Sequence, residues 1–211
     1  MLACALLIVP QLARAQAGSM TRAIGGDSSD ANYVRAGFGS LRQDDLTVHL
    51  TLTGGLEVRA IPLEESLIRL LSPDSYNTMR LIKASRKIAV DSIMNRNRLQ
   101  KVSLWYVQFY GLEQGEARFS PQDLIVRNVG RDFRAIQILG LTTGFGDNRV
   151  KQREVQSALY VFDGQLDVYQ TLTIQMGNVT SSTDWDVVLR RAEQERSSVR
   201  SRSAGTPQLQ Q

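Results

Sequence analysis

Few side chains in this sequence could do chemistry. Histidine, a usual base of hydrolytic triads and a common zinc ligand, occurs once, at His49. It alternates with Thr47 and Thr51, which predicts a solvated ring on the polar face of a strand. Cysteine also occurs once, at Cys4, in a segment that reads as a removable leader. A metal site would then have to be built from carboxylates, and no Asp/Glu cluster has the spacing of a calcium loop. No metal and no cofactor are expected, and no catalytic residue is assigned. Two carboxylate pairs could support glycoside hydrolysis. Glu113 and Glu116 flank Gly115, and Asp163 and Asp167 flank a second turn. They make a secreted, carboxylate-dependent glycan hydrolase the alternative reading, although turn chemistry and solvation explain both pairs. Gly37-Phe38-Gly39 and Gly144-Phe145-Gly146 are not phosphate-binding loops: the first precedes a strand and the second lacks a lysine. Asn178-Val179-Thr180 matches a glycosylation sequon, a pattern too short to carry an argument.

The charges are more informative. The net charge is +4, but residues 80–101 hold Arg80, Lys83, Arg86, Lys87, Arg96, Arg98 and Lys101 against Asp91 alone. The segments on either side are acidic or close to neutral, so this one carries the positive field. On a helix, Arg80, Lys83 and Lys87 share a face at i, i+3 and i+7, beside an apolar stripe. Such a face suits an anionic envelope component, either a lipid headgroup or an acidic polysaccharide, or an acidic protein partner. Nucleic acid is not expected, because no aromatic residues interleave with the charges.

The start of the chain supplies a compartment. The apolar run Leu2–Val9 is followed by Pro10 and by Ala15-Gln16-Ala17, a small-residue cleavage site. This reads as a signal peptide cut after Ala17, although no Lys or Arg precedes the run. Export to the periplasm or the outside is the expectation. Cys4 would leave with the signal, so the domain has no disulfide to rely on and needs a core. No segment reaches the length of a transmembrane span.

Residues 18–43, rich in Gly, Ser, Asp and Ala, read as a flexible leader. From Leu46 to Thr53, apolar and polar residues alternate. Gly54-Gly55 suits a two-residue hairpin turn, and Leu56–Ala60 resumes the alternation. The period then changes, predicting a helical insertion over about 64–95. Its second helix starts at Ser72-Pro73, with Met79, Ile82, Ala89, Val90 and Ile93 on one face. Arg86 interrupts that face, and Lys87–Ile93 also fits a strand. Strands return at Val102–Tyr110, Leu124–Arg127, Phe133–Ile138 and Val150–Phe162. Asp163-Gly164 then predicts a hairpin back through Gln165–Met176. A C-terminal helix spans about 184–198, and 199–211 reads as a disordered tail. Seven short strands in a single domain over 44–198 predict a β-sandwich, mainly β and antiparallel, interrupted by the helical insertion.

Two segments resemble the immunoglobulin fold. Val102-Ser103-Leu104-Trp105-Tyr106-Val107-Gln108 is similar to its third strand, and Ser157-Ala158-Leu159-Tyr160-Val161-Phe162 to its tyrosine-corner strand. Phe162 stands where the second cysteine of that fold would be. The resemblance implies an immunoglobulin-like sandwich in which Trp105 fills the core and the Tyr160 hydroxyl bonds a backbone group. Separately from the resemblance, the export signal, the basic segment and the lack of a catalytic motif make a non-enzymatic binding or assembly module of the cell envelope the expected function.

Overall fold

The computed structural model describes residues 32–204. The expected signal peptide with Cys4, the first part of the expected leader and residues 205–211 lie outside the described residues. The alternating stretch forms β1 (Val48–Leu52) and β2 (Leu56–Pro62), antiparallel with Leu52 opposite Leu56. The connecting loop has three residues, Thr53 to Gly55, instead of two. Both glycines have positive φ, 85° and 71°, which strains any L side chain. After β2 come α1 (Glu65–Ile68), α2 (Pro73–Ser85) and α3 (Lys87–Asn97). The segment 87–93 is therefore helix and not strand. Then follow β3 (Val102–Gly111), β4 (Glu116–Arg118), β5 (Leu124–Asn128), β6 (Arg131–Arg134), β7 (Gln137–Gly140) and β8 (Arg149–Lys151). The chain continues through β9 (Val155–Asp163), β10 (Leu172–Met176), β11 (Val179–Thr180) and α4 (Trp185–Ala204).

The protein is thus mainly β, with antiparallel sheets and a C-terminal helix. One sheet has the order β1-β2-β3-β9-β7, a second β11-β10-β5-β6, and β4 pairs with β8 in a short ribbon. Along β3, buried residues alternate with half-buried ones, whereas β9 is buried on both faces from Gln156 to Phe162. Trp105 stands directly opposite Tyr160 in the β3–β9 register and is fully buried. Its ring meets Phe162 edge-on at 6.3 Å and Trp185 of α4 at 6.3 Å, so the first sheet and the C-terminal helix share one aromatic contact. Both indoles are satisfied: Trp105 Nε1 donates to Ser103 Oγ, and Trp185 Nε1 to the Val168 carbonyl. The buried Tyr160 hydroxyl donates to the Pro121 carbonyl at 2.9 Å, just before β5 begins.

Among the described residues, eleven strands replace the expected seven: two stretches that read as single strands divide, and the short β4 and β11 are added. Phe133–Ile138 breaks at Ala135-Ile136, so β6 joins the second sheet and β7 the first. Val150–Phe162 breaks at Gln152-Arg153-Glu154, where Arg153 has φ of 61° and the Lys151 N–H donates to the Glu154 carboxylate. The hairpin expected at Asp163-Gly164 does not form: β9 pairs with β3 and β7, while β10 pairs with β5 in the other sheet. Asp163 closes a local turn by accepting from the Gln165 N–H. Gly164 lies so close to Lys101 that a Cβ would sit 2.6 Å from its carbonyl oxygen. The loop is then held by buried Asn128, whose amide donates to the Asp167 and Thr171 carbonyls and accepts from the Asp167 N–H.

The ends also differ from expectation. Residues 32–43 pack on the domain through buried Val34 and Leu41, and Leu41 exchanges backbone bonds with Leu70 and Ser72. The C-terminal helix continues past residue 198 to Ala204. Arg202 donates to the Phe38 carbonyl and pairs with Glu195, which also accepts from Ser40 N and Oγ. Each end anchors the other, a non-local contact that composition does not reveal.

Candidate anion-docking surface

Pro73 opens α2 with its fixed φ, and Ser72 precedes it as N-cap. The helix breaks at Arg86, with φ −115° and ψ 10°, and resumes as α3. Arg98, in the left-handed region at φ 55°, ends α3, its N–H directed to the Asn95 carbonyl. Buried or half-buried positions run through the break at helical spacing: Tyr76, Met79, Lys83, Arg86, Val90 and Ile93. The break therefore leaves the outward stripe in phase. Arg86, which interrupted the apolar face in the sequence, reaches the edge strand: its Nη2 donates to the Gly140 carbonyl at 2.8 Å.

On the outward stripe stand Leu81 and Ile88, 67% and 87% exposed. They are seven residues apart, one on each helix, and neither joins the core. Arg80 and Lys87 flank them and are exposed. The three basic residues singled out in the sequence differ in their pairing. Lys83 is half-buried and lies 3.6 Å from Glu65, and Lys87 bonds Asp91 at 2.5 Å, one helical turn on. Arg80, Arg96 and Arg98 form no ion pair among the described residues. Exposed pairs such as Lys87–Asp91 are weak and open readily toward a stronger anion.

Glu65 anchors the base of α2. It accepts from Arg69 Nε and from the Tyr76 hydroxyl, both at 2.9 Å. Burial alone would raise its pKa; the Tyr76 bond, the Lys83 charge and Arg69 together outweigh it and hold the carboxyl below the usual range. Burial and the Glu65 charge push the Tyr76 phenol up.

The other candidates have local partners. His49 is half-buried and not fully solvated: Nδ1 lies 2.9 Å from Glu57 and Nε2 3.1 Å from Asp44. Its neighbour Thr47 is buried and donates to the Gln43 carbonyl. Arg59 pairs with the far oxygen of Glu57, and a cleft of about 290 Å³ opens beside His49, Thr183 and Arg191. Burial raises the Glu57 pKa, but Arg59 and His49 outweigh it and lower the carboxyl overall. Glu113 and Glu116 are exposed, and Glu116 pairs with Arg149. Asp163 and Asp167 accept from backbone N–H groups two residues on. Among the described residues, no group of three His, Cys, Asp or Glu side chains is placed to hold a metal ion. No described helix is long and apolar enough to cross a membrane.

Leu81 and Ile88 were not singled out from the sequence, and Arg96 and Arg98 entered only the charge balance of the segment and not its candidate face. The signal for the two aliphatics was present: both fall off the apolar stripe, seven residues apart. Compared with family models, with curated proteins and with solved structures, the chain matches none of them.

Proposed function

We propose that this is an exported, non-enzymatic docking module of the cell envelope whose α2–α3 surface rests on an anionic lipid surface. The observation that carries the reading is the exposure of Leu81 and Ile88 within the segment that has the largest excess of positive over negative charge. Cations draw the surface to acidic headgroups, and two aliphatic side chains enter the headgroup boundary. An acidic polysaccharide would use the charges and leave the aliphatics in water, so lipid is the occupant that uses both features. The signal pattern over residues 1–17 supports export, and sequencing the mature protein should begin at Gly18. The Trp105–Tyr160 pairing, with Tyr160 bonded to the lead-in of the second sheet, supports an immunoglobulin-like sandwich as the platform.

The test is co-sedimentation with vesicles of neutral lipid and of neutral lipid doped with anionic phosphatidylglycerol. Binding should require the anionic component and fall as salt rises. Each basic residue near such a surface contributes about 1 kcal/mol, so R80E/R96E/R98E, at the three arginines without an ion pair among the described residues, should weaken binding by roughly two orders of magnitude or more. L81D/I88D should weaken it without removing the salt dependence. Equal binding to neutral vesicles, or an unchanged triple variant, overturns the reading. So does capture by acidic polysaccharide with no vesicle binding.

A further inference from the structure

Arg196 of α4 is 2% exposed, and its charge is incompletely met. Nη1 contacts Glu193, and the guanidinium lies over the Tyr169 ring at 5.7 Å. Nε and Nη2 have no hydrogen-bond partner. Arg59 and Arg86 each leave a single buried nitrogen unpartnered; among the described residues only Arg196 leaves two. These two form one edge of the guanidinium, whose parallel N–H bonds match two oxygens of a carboxylate or phosphate. The same edge of Arg127 holds both oxygens of Asp132, at 2.8 and 3.3 Å. A buried cation with two unmet donors is costly, which makes it a strong recognition element when an anion completes it.

The surroundings form a recess. Arg196 lines a cavity of about 270 Å³ together with Leu67, Tyr169, Leu189 and Arg190. Ser66 Oγ is hydrogen-bonded to the Tyr169 hydroxyl, which fixes the ring that forms one wall. Arg190 is exposed at the border, and with Arg196 it outweighs the single carboxylate of Glu193. The recess can hold an oxyanion head and a short apolar body against the leucines.

We propose that this cavity is a binding site for a small organic oxyanion, and that a turn of the Arg196 side chain brings Nε and Nη2, closed off from solvent in this structure, onto its two oxygens. The proposal is independent of the lipid-docking reading and lies on a different element. Butyrate, butyl phosphate and inorganic phosphate distinguish a carboxylate from a phosphoryl head and test the apolar body. In the wild-type protein, the Arg196 side-chain Nε–H resonance should shift saturably with butyrate or butyl phosphate, and less with inorganic phosphate. In calorimetry, R196M should weaken the better ligand by at least about tenfold, and R196K, which keeps the charge without the fork, should also fall. The proposal is overturned if the Nε–H resonance ignores all three probes, the result expected of a site filled by water alone. It is equally overturned if R196M binds as tightly as wild type. The resonance experiment needs no variant, so a misfolded R196M would not shelter the proposal.

Discussion

Replacing Trp105 with alanine tests the centre of the fold. The indole is fully buried, contacts Phe162 and Trp185, and faces Tyr160 across the strand pair. Truncating such a residue removes the transfer free energy of the ring and leaves a cavity that β3, inside its sheet, cannot collapse to fill. Buried tryptophans of this kind cost about 3–5 kcal/mol, and each ring contact accounts for roughly 0.5–1.5 kcal/mol of that. With an m-value near 2 kcal/mol per molar urea, the unfolding midpoint should drop by roughly 1.5–2.5 M. For a domain with about 5–15 kcal/mol in total, that is a large share. The assay is urea unfolding followed by circular dichroism, with the m-value fitted and not assumed. A midpoint that moves by less than about 0.5 M at unchanged m would mean that the ring is not enclosed and the β3 register is wrong. Pairing the change with W185F should show non-additivity of about 0.5–1.5 kcal/mol if α4 docks through this contact.

Three further changes probe separate links. Tyr160→Phe keeps the ring and leaves the Pro121 carbonyl without its donor, which should cost about 1–2 kcal/mol in the same unfolding assay; no loss would show that the bond is unimportant. Asn128→Ala strands the Thr171 carbonyl and the Asp167 N–H, while the Asp167 carbonyl keeps the Gln170 N–H, and should cost roughly 2–4 kcal/mol, with amide exchange rising first at residues 165–171; uniform exchange would refute the local role. Glu65→Gln should destabilise at neutral pH. Because the folded-state pKa of Glu65 is lowered, its contribution is complete above the ordinary value near 4.5 and is lost as pH falls through the folded value. The gap between wild type and variant should therefore narrow on acidification from about pH 6 to pH 3, and a constant gap would contradict the assignment.

What could be read in the chain divides by the range of the interaction. Period two along Leu46–Thr53, the paired glycines and the Ser72-Pro73 start are local, and each marks its element, although the strand begins at Val48 and the turn takes in Thr53 as a third residue. The choice of partner strand is not local. Asp163-Gly164 carries the same turn chemistry whether the next strand returns to its neighbour or crosses to the other sheet. What decides is Asn128, buried on β5 far away in the chain, and the backbone of Lys101 pressed against Gly164. The candidate sites follow the same division. Arg80, Lys83 and Lys87 were visible as helix-spaced charges, and the Lys87–Asp91 pair is a standard i,i+4 spacing. The tether of Lys83 to Glu65 needed the turn between α1 and α2 to bring them together. In the sequence, Arg196 is one of several arginines in a polar helix. Its burial arises only because Tyr169 and Leu67 reach it from elsewhere in the chain.

The helical insertion joins two strands that pair directly, with Pro62 opposite Trp105. Two residues could connect such strands, so the fold itself asks little of residues 63–101 beyond their inner stripe. That stripe is satisfied by Leu67, Met79, Val90 and Ile93. Leaving Leu81 and Ile88 outside forgoes the roughly 1.5–3 kcal/mol that burial of each would contribute. Partial insertion at a membrane boundary would recover about half of this, about 2 kcal/mol for the two side chains together. Arg80, Arg96 and Arg98, which form no ion pair among the described residues, add about 1 kcal/mol each near an anionic surface. The sum, about 5 kcal/mol, corresponds to an affinity of roughly a few hundred micromolar in accessible lipid. Contact on this scale is reversible, and its two halves respond differently to salt. Screening should remove the cationic half and leave the weak apolar half, so vesicle binding should fall toward a shallow plateau as salt rises and not vanish in proportion to ionic strength.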